Sequence, residues 1–275
     1  MNSTLRLQQG LTLVELMIAM TLSLMIMGAV GTILVTSNQA ASVSDTLSQT
    51  QETGRFTADY MNRQLLRTGY DPAESGLQPF PGLCAAATDQ RCIWDSAGGT
   101  GDSGDQLGIQ RVALAGEDTA VTCYGSALTD SSGSPISTDV AVMDVYWVAV
   151  DGNNISNLRC ETYDINGTAR GTAGASFGSS QALAAGVTAM HVLYGQSPSD
   201  PQDQVLNVSR YLAAGEVTDW NNVYAMRIGF LTEALIRTEA PATERQYAVL
   251  NSAIYDYTDQ LSRQVFTTTV TLLNY

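Results

Sequence analysis

Glu15 stands in the stretch Gly10-Leu11-Thr12-Leu13-Val14-Glu15-Leu16, and no other charged side chain occurs between Leu11 and Val35. A carboxylate at hydrocarbon depth is costly and is kept where it pairs with another charge or serves an ion path. The chemistry this residue offers is therefore charge pairing. The cysteines Cys84, Cys92, Cys123 and Cys160 include no Cys-x-x-Cys pair, and His191 is the sole histidine, which argues against a zinc site. An even cysteine count beyond an apolar segment reads instead as two disulfides in an oxidising compartment. Sequence order suggests Cys84–Cys92 and Cys123–Cys160, one of three possible pairings.

Other constellations are weaker. Gly101-Asp102-Ser103-Gly104 resembles the surroundings of the nucleophile in chymotrypsin-like proteases. That family has a further glycine where Asp105 stands and a histidine upstream, whereas His191 lies downstream. The loop reads as a plain turn, and His191, within Met190-His191-Val192-Leu193-Tyr194, as a structural residue of a strand. Asp164-Ile165-Asn166-Gly167 and the Asp102/Asp105 pair offer oxygens to calcium without EF-hand spacing, and turn chemistry accounts for both. No metal, cofactor or catalytic site is expected.

The chain has 275 residues, 44% of them hydrophobic, so it can bury a real core. It holds 27 acidic residues against 13 basic ones, every one of them arginine, for a net charge of -14. Such a balance argues against nucleic acid, whose phosphates need basic partners. Contact with a membrane would have to come from apolar burial.

That burial is available at the N-terminus. Leu11 to Val35 is long enough, at ~1.5 Å per residue, to cross a ~30 Å hydrocarbon core. Thr12, Thr21, Ser23 and Thr32, its polar members, can bond back to a helix. Arg6 precedes the span and the first charge after it is Asp45, which places the N-terminus inside and the bulk of the chain outside. An amphipathic continuation follows to about Arg67, with Val43, Leu47, Thr50, Gly54, Ala58, Met61 and Leu65 in one stripe that Phe56 and Tyr60 widen. Asp45, Glu52, Asp59 and Arg63 lie off it, and Thr68-Gly69 with Pro72 stops the helix. The spacing predicts one helix, lipid-soluble in its first half and packed on a domain in its second.

Gly10 through Leu16 resembles the prepilin motif of type IV pilins and type II secretion pseudopilins. The resemblance implies that a prepilin peptidase cuts after Gly10 and methylates the new N-terminal Leu11, a place where phenylalanine is commoner. It also assigns Glu15 to the family's assembly glutamate, neutralising a neighbouring subunit's N-terminus in the filament. Many major pilins carry a proline where Thr32 stands; Gly28 and Gly31 could still permit local melting there.

Beyond the helix, residues 70–105 read as an irregular connection. Strand-like runs follow at Gln106–Ala113, Val121–Tyr124, Val140–Val150, Ile155–Tyr163, Val187–Tyr194, Val223–Ile236 and Val265–Leu273. Turn signals separate them without a βαβ rhythm, which predicts an α+β fold with the long N-terminal helix packed on an antiparallel β-sheet head. The expected segments are a leader at 1–10, a transmembrane and filament-core helix at 11–35, its amphipathic continuation at 36–69, and a periplasmic or extracellular head at 70–275. Gly104–Ile109, Gly186–Gly195, Asp219–Val223 and Phe266–Val270 resemble the PilW group of minor pilins. That group often ends in Arg-Asn, whereas this chain ends Asn274-Tyr275. The resemblance implies a non-enzymatic minor pilin in a subcomplex with other minor pilins and the major pilin, anchored in the inner membrane before assembly. It further implies a role in priming the pilus from a place at or near its tip, where it could support an adhesin. A J-like minor pseudopilin of type II secretion, or a tip-located binding subunit, are the alternatives.

Overall fold

The computed structural model describes residues 12–85, 91–197 and 208–273. One helix, α1 (Leu13–Leu65), runs unbroken through the apolar span and its amphipathic continuation. Its 53 residues extend about 80 Å at 1.5 Å each. The helix ends where the sequence indicates: Gly69 adopts a left-handed conformation (φ 74°) and donates its N–H to the Gln110 carbonyl at 2.8 Å. Gly28 and Gly31 lie within the continuous helix.

Among the described residues eleven strands follow, and every pairing between them is antiparallel. β1 (Leu107–Ala113), β2 (Val140–Val150), β3 (Ser156–Asp164), β4 (Ala175–Ser176) and β5 (Gln181–Ala185) make one sheet, in which β4 and β5 both pair with β3. The second sheet draws on β6 (Val187–Gln196), β7 (Arg210–Leu212), β8 (Val223–Glu233) and, after the hairpin, β11 (Arg263–Thr271), ordered β11-β8-β6-β7. β9 (Thr243–Tyr247) and β10 (Tyr255–Asp259) pair as a separate hairpin. The expected antiparallel head thus consists of two sheets and a hairpin.

Gly186 makes the corner between the two sheets. Its N–H reaches Ser156 on the first, its carbonyl accepts from Glu233 on the second, and its φ of 82° suits glycine. A Cβ there would lie 2.6 Å from the Glu233 oxygen, so the close approach needs glycine as well.

The main core lies between α1 and the inner faces of both sheets. Met61 and Leu65 from the helix meet Ile109, Tyr146, Leu158, Met190, Met226 and Phe230. Phe80 and Trp220 close one end around Tyr194, with ring centroids 5.7 and 4.8 Å from it. The β9–β10 hairpin covers part of the outer face of the second sheet, where Val249 and Tyr255 bury Ala189 and Leu231.

Two expectations are corrected. Val121–Tyr124 is not a strand; it forms a single bridge, Val121 to Ala127, around a tight turn at Gly125. The Cys123 amide donates to the Thr162 hydroxyl at 2.8 Å, so its hydrogen bonding goes to a side chain rather than to a ladder.

The expected stripe of α1 holds at Thr50, Gly54, Met61 and Leu65 and is corrected toward its N-terminal end, where Thr46 rather than Val43 or Leu47 faces the head. Thr46, Thr50, Gly54, Thr57, Met61 and Leu65 are buried, whereas Val43, Leu47 and Phe56 remain exposed. Small side chains let the helix sit close to β11, and two of the three buried threonine hydroxyls find partners: Thr50 donates to the Thr46 carbonyl, and Thr46 meets Ser262 at 3.0 Å.

Candidate assembly interface

From Leu13 to Val35, α1 is exposed along its whole circumference. Leu13, Met25 and Met27 are about three-quarters exposed, far more apolar surface than a helix in water sustains. It is the one described helix long and apolar enough to cross a membrane. Its polar side chains suit that surrounding. Thr21, Ser23, Thr32 and Thr36 each donate to a carbonyl three or four residues back, at 2.8 to 2.9 Å, so no hydroxyl needs water.

Glu15 lies in the first turn of α1, where the Thr12 hydroxyl caps the helix by accepting from the Glu15 N–H at 3.3 Å. A carboxylate here faces the positive end of the helix dipole. Among the described residues nothing pairs with it, and the side chain is exposed. Gly10 and Leu11, the expected cleavage and methylation positions, lie outside the described residues.

Past Val35 the helix presents two unlike faces. The threonine–glycine ridge packs on the head, and the opposite side carries Glu52, Arg55, Phe56 and Asp59 beside a shallow groove. Arg63 and Asp59 form an exposed ion pair at 2.7 Å, and Phe56, 48% exposed, stacks on Tyr60. This outer side is exposed along Glu52, Arg55, Phe56 and Asp59.

At the C-terminal end of α1 a polar network ties helix to head. Arg111 on β1 donates to Asp144 on β2 at 2.8 Å, and both side chains are essentially fully buried. Asp144 also accepts from the Thr162 hydroxyl at 2.6 Å. The remaining Arg111 donors reach the carbonyls of Thr119 and Val121, and the Tyr60 hydroxyl donates to the Cys123 carbonyl. Burial, and secondarily the Asp144 charge, push the Tyr60 phenol up to about 12. Sequence reading missed this network, because charges and hydroxyls scattered between Tyr60 and Thr162 carry no local pattern.

The structure joins Cys123 to Cys160, across the network, with Cα atoms 6.3 Å apart. It joins Cys84 to Cys92 at 5.1 Å in the connection that runs ahead of β1.

The weaker constellations resolve into structural roles. His191 is buried with both ring nitrogens engaged: Nδ1 lies 3.2 Å from Asp105 and Nε2 lies 2.7 Å from the Tyr255 hydroxyl. Asp105 also accepts the N–H groups of Ser96 and Val192, so it ties the Gly-Asp-Ser-Gly loop to β6. No nitrogen of His191 is left to activate a serine. Asp164 accepts four backbone N–H groups, from Gly167 to Arg170, and Asp102 accepts from Gly104 and Ser96. Turn donors thus occupy these carboxylates.

An apolar helix half with a lone carboxylate in its first turn, continued into a β head by its second half, is the design of a pilin-type filament subunit. Two family models match: the prokaryotic N-terminal methylation motif over residues 5–31, and the type IV pilus-assembly protein W over residues 145–274. The chain belongs to the type IV minor pilins of the PilW group. No curated protein and no solved structure matches it. Membership points to a structural role, to contact with other pilus components and to processing by prepilin peptidase. Its apolar helix anchors it in the membrane.

Proposed function

We propose that this minor pilin is cut after Gly10, methylated on Leu11, and then joins a minor-pilin subcomplex that primes type IV pilus assembly at or near the tip. The leader is 1–10, residues 11–35 form the filament-core helix, residues 36–69 continue it, and 70–275 form the head, held outside the membrane and stapled by its two disulfides. Glu15 carries the reading. Its carboxylate is the sole charge on the exposed helix between Leu13 and Val35, and it has no partner among the described residues. Cleavage after Gly10 creates a cationic α-amino group, and the N-terminus of an adjacent subunit supplies that partner inside a dry helical bundle. The large head suits a capping place better than repeated stacking along a shaft.

Intact-mass measurement on protein from piliated cells tests this. The expected mass lacks Met1–Gly10 and carries one added methyl group. Glu15→Ala is expected to be processed and inserted yet to leave cells with few pili. An unprocessed N-terminus would overturn the reading, and lost protein secretion with intact pili would point to a type II pseudopilin instead.

A further inference from the structure

We infer that the cleft between Arg67 and Arg111 is a receptor for an acidic side chain of a neighbouring pilus subunit. The cleft is a cavity of about 320 Å³ at the C-terminal end of α1, the end opposite the membrane segment, lined by Leu66, Arg67, Tyr70, Arg111, Val112 and Thr119. Its two guanidiniums are unequally provided for. Arg111 has Asp144 at 2.8 Å. Arg67, half-buried, donates to the Gln64 side chain and to the Thr119 carbonyl, both at 3.2 Å, and forms no ion pair among the described residues. Arg111 donates to that same Thr119 carbonyl at 3.0 Å. Two cations therefore share one neutral acceptor, with a single carboxylate between them.

Nothing else in the cluster compensates. Burial pushes the Tyr60 and Tyr146 phenols upward, which keeps them neutral. Burial and the adjacent Arg111 charge lower the pKa of Arg67, and the Asp144 charge, already paired with Arg111, offsets them only in part. A cation withdrawn from water without a counter-ion is costly and is kept where a partner meets it. The negative end of the helix dipole explains why a cation suits this end of α1. It does not explain why the cation faces a cavity walled by a second arginine. A guanidinium binds a carboxylate through two parallel donors, and the space accommodates one aspartate or glutamate side chain. The excess of acid over base in this chain, net -14, makes such a basic cleft a directional mark on an otherwise acidic molecule.

The identity of the neighbour rests on the pilus-subunit reading, whereas the cleft itself is tested without it. The full chain in detergent micelles is melted at fixed ionic strength with N-acetyl-glutamate N-methylamide, with its glutamine counterpart, and with inorganic phosphate. The glutamate probe is expected to raise Tm by roughly 3 °C at tenfold excess over its dissociation constant, and the other two to leave it unchanged. Arg67→Gln keeps a donor for the Thr119 carbonyl and should abolish the rise. Leu66→Trp, which places a larger side chain at a residue lining the cleft, should do the same should Arg67→Gln fold poorly. No rise with the glutamate probe, a rise that survives both variants, or an equal rise with phosphate would each overturn the proposal. Processing after Gly10 does not involve the cleft, so failure here and failure of the assembly reading are separate results.

Discussion

Gly54 on α1 lies against the ring of Phe266 on β11 so closely that a Cβ at Gly54 would come within 2.1 Å of it. This contact sets how near the helix sits to the second sheet, and Thr46, Thr50 and Thr57 continue the same small-residue ridge. Gly54→Ala is expected to destabilise the head by about 1–3 kcal/mol through overpacking, despite the better helix propensity of alanine. Thermal melting of the Gly54→Ala, Phe266→Leu double variant should recover part of the loss, since the two changes share one contact. Additive losses would mean that the ring moves aside freely.

The Arg111–Asp144 pair predicts a different asymmetry. Asp144→Asn leaves the fully buried Arg111 without its counter-charge, and denaturant unfolding should show a loss of about 3–5 kcal/mol. Replacing both, as Arg111→Met with Asp144→Leu, should cost less than Asp144→Asn alone, because no charge is then left buried. A double variant worse than the single one would show that the network's hydrogen bonds, rather than charge balance, hold the loop at Thr119 and Val121.

Tyr60 gives an alkaline signature. Burial first, then the Asp144 charge, raises its folded pKa from the ordinary 10.0 to about 12. Because the folded pKa lies above the unfolded one, the associated stability is fully present below pH 10.0 and is lost as pH rises toward about 12. Tyr60→Phe should lower stability at neutral pH, by removing the bond to the Cys123 carbonyl, and flatten part of the decline above pH 10.0. Tyr146 and Tyr194, also raised by burial, should keep the rest of that decline. Unfolding curves collected across the alkaline range would read this directly, and an unchanged slope in Tyr60→Phe would contradict it.

Elements with strong local patterns were legible. The apolar run and its stop at Gly69 mark α1, and the β-branched runs mark β2, β3, β6, β8 and β11 to within a few residues. Polar, exposed β9 was not legible: Thr243–Tyr247 is stabilised by pairing with β10 rather than by a buried face. Val121–Tyr124 misled for the opposite reason, having strand composition but bonding to a side chain and a disulfide. On α1 the hydrophobic stripe pointed partly away from the head, because close approach to β11 selects for small residues over apolar ones.

What the sequence by itself determined is the anchor. Glu15, the uncharged run behind it and the glycine ahead of it are contiguous, and a continuous helix turns spacing directly into position. The family assignment follows from that and from the strand motifs. Tertiary structure alone decided which residues meet across the head. Arg111 reaches Asp144, Asp105 reaches His191, and Arg67 comes to face a cavity only once two sheets and the end of α1 converge. Such pairings depend on register and sheet order between distant segments, and no local periodicity encodes them.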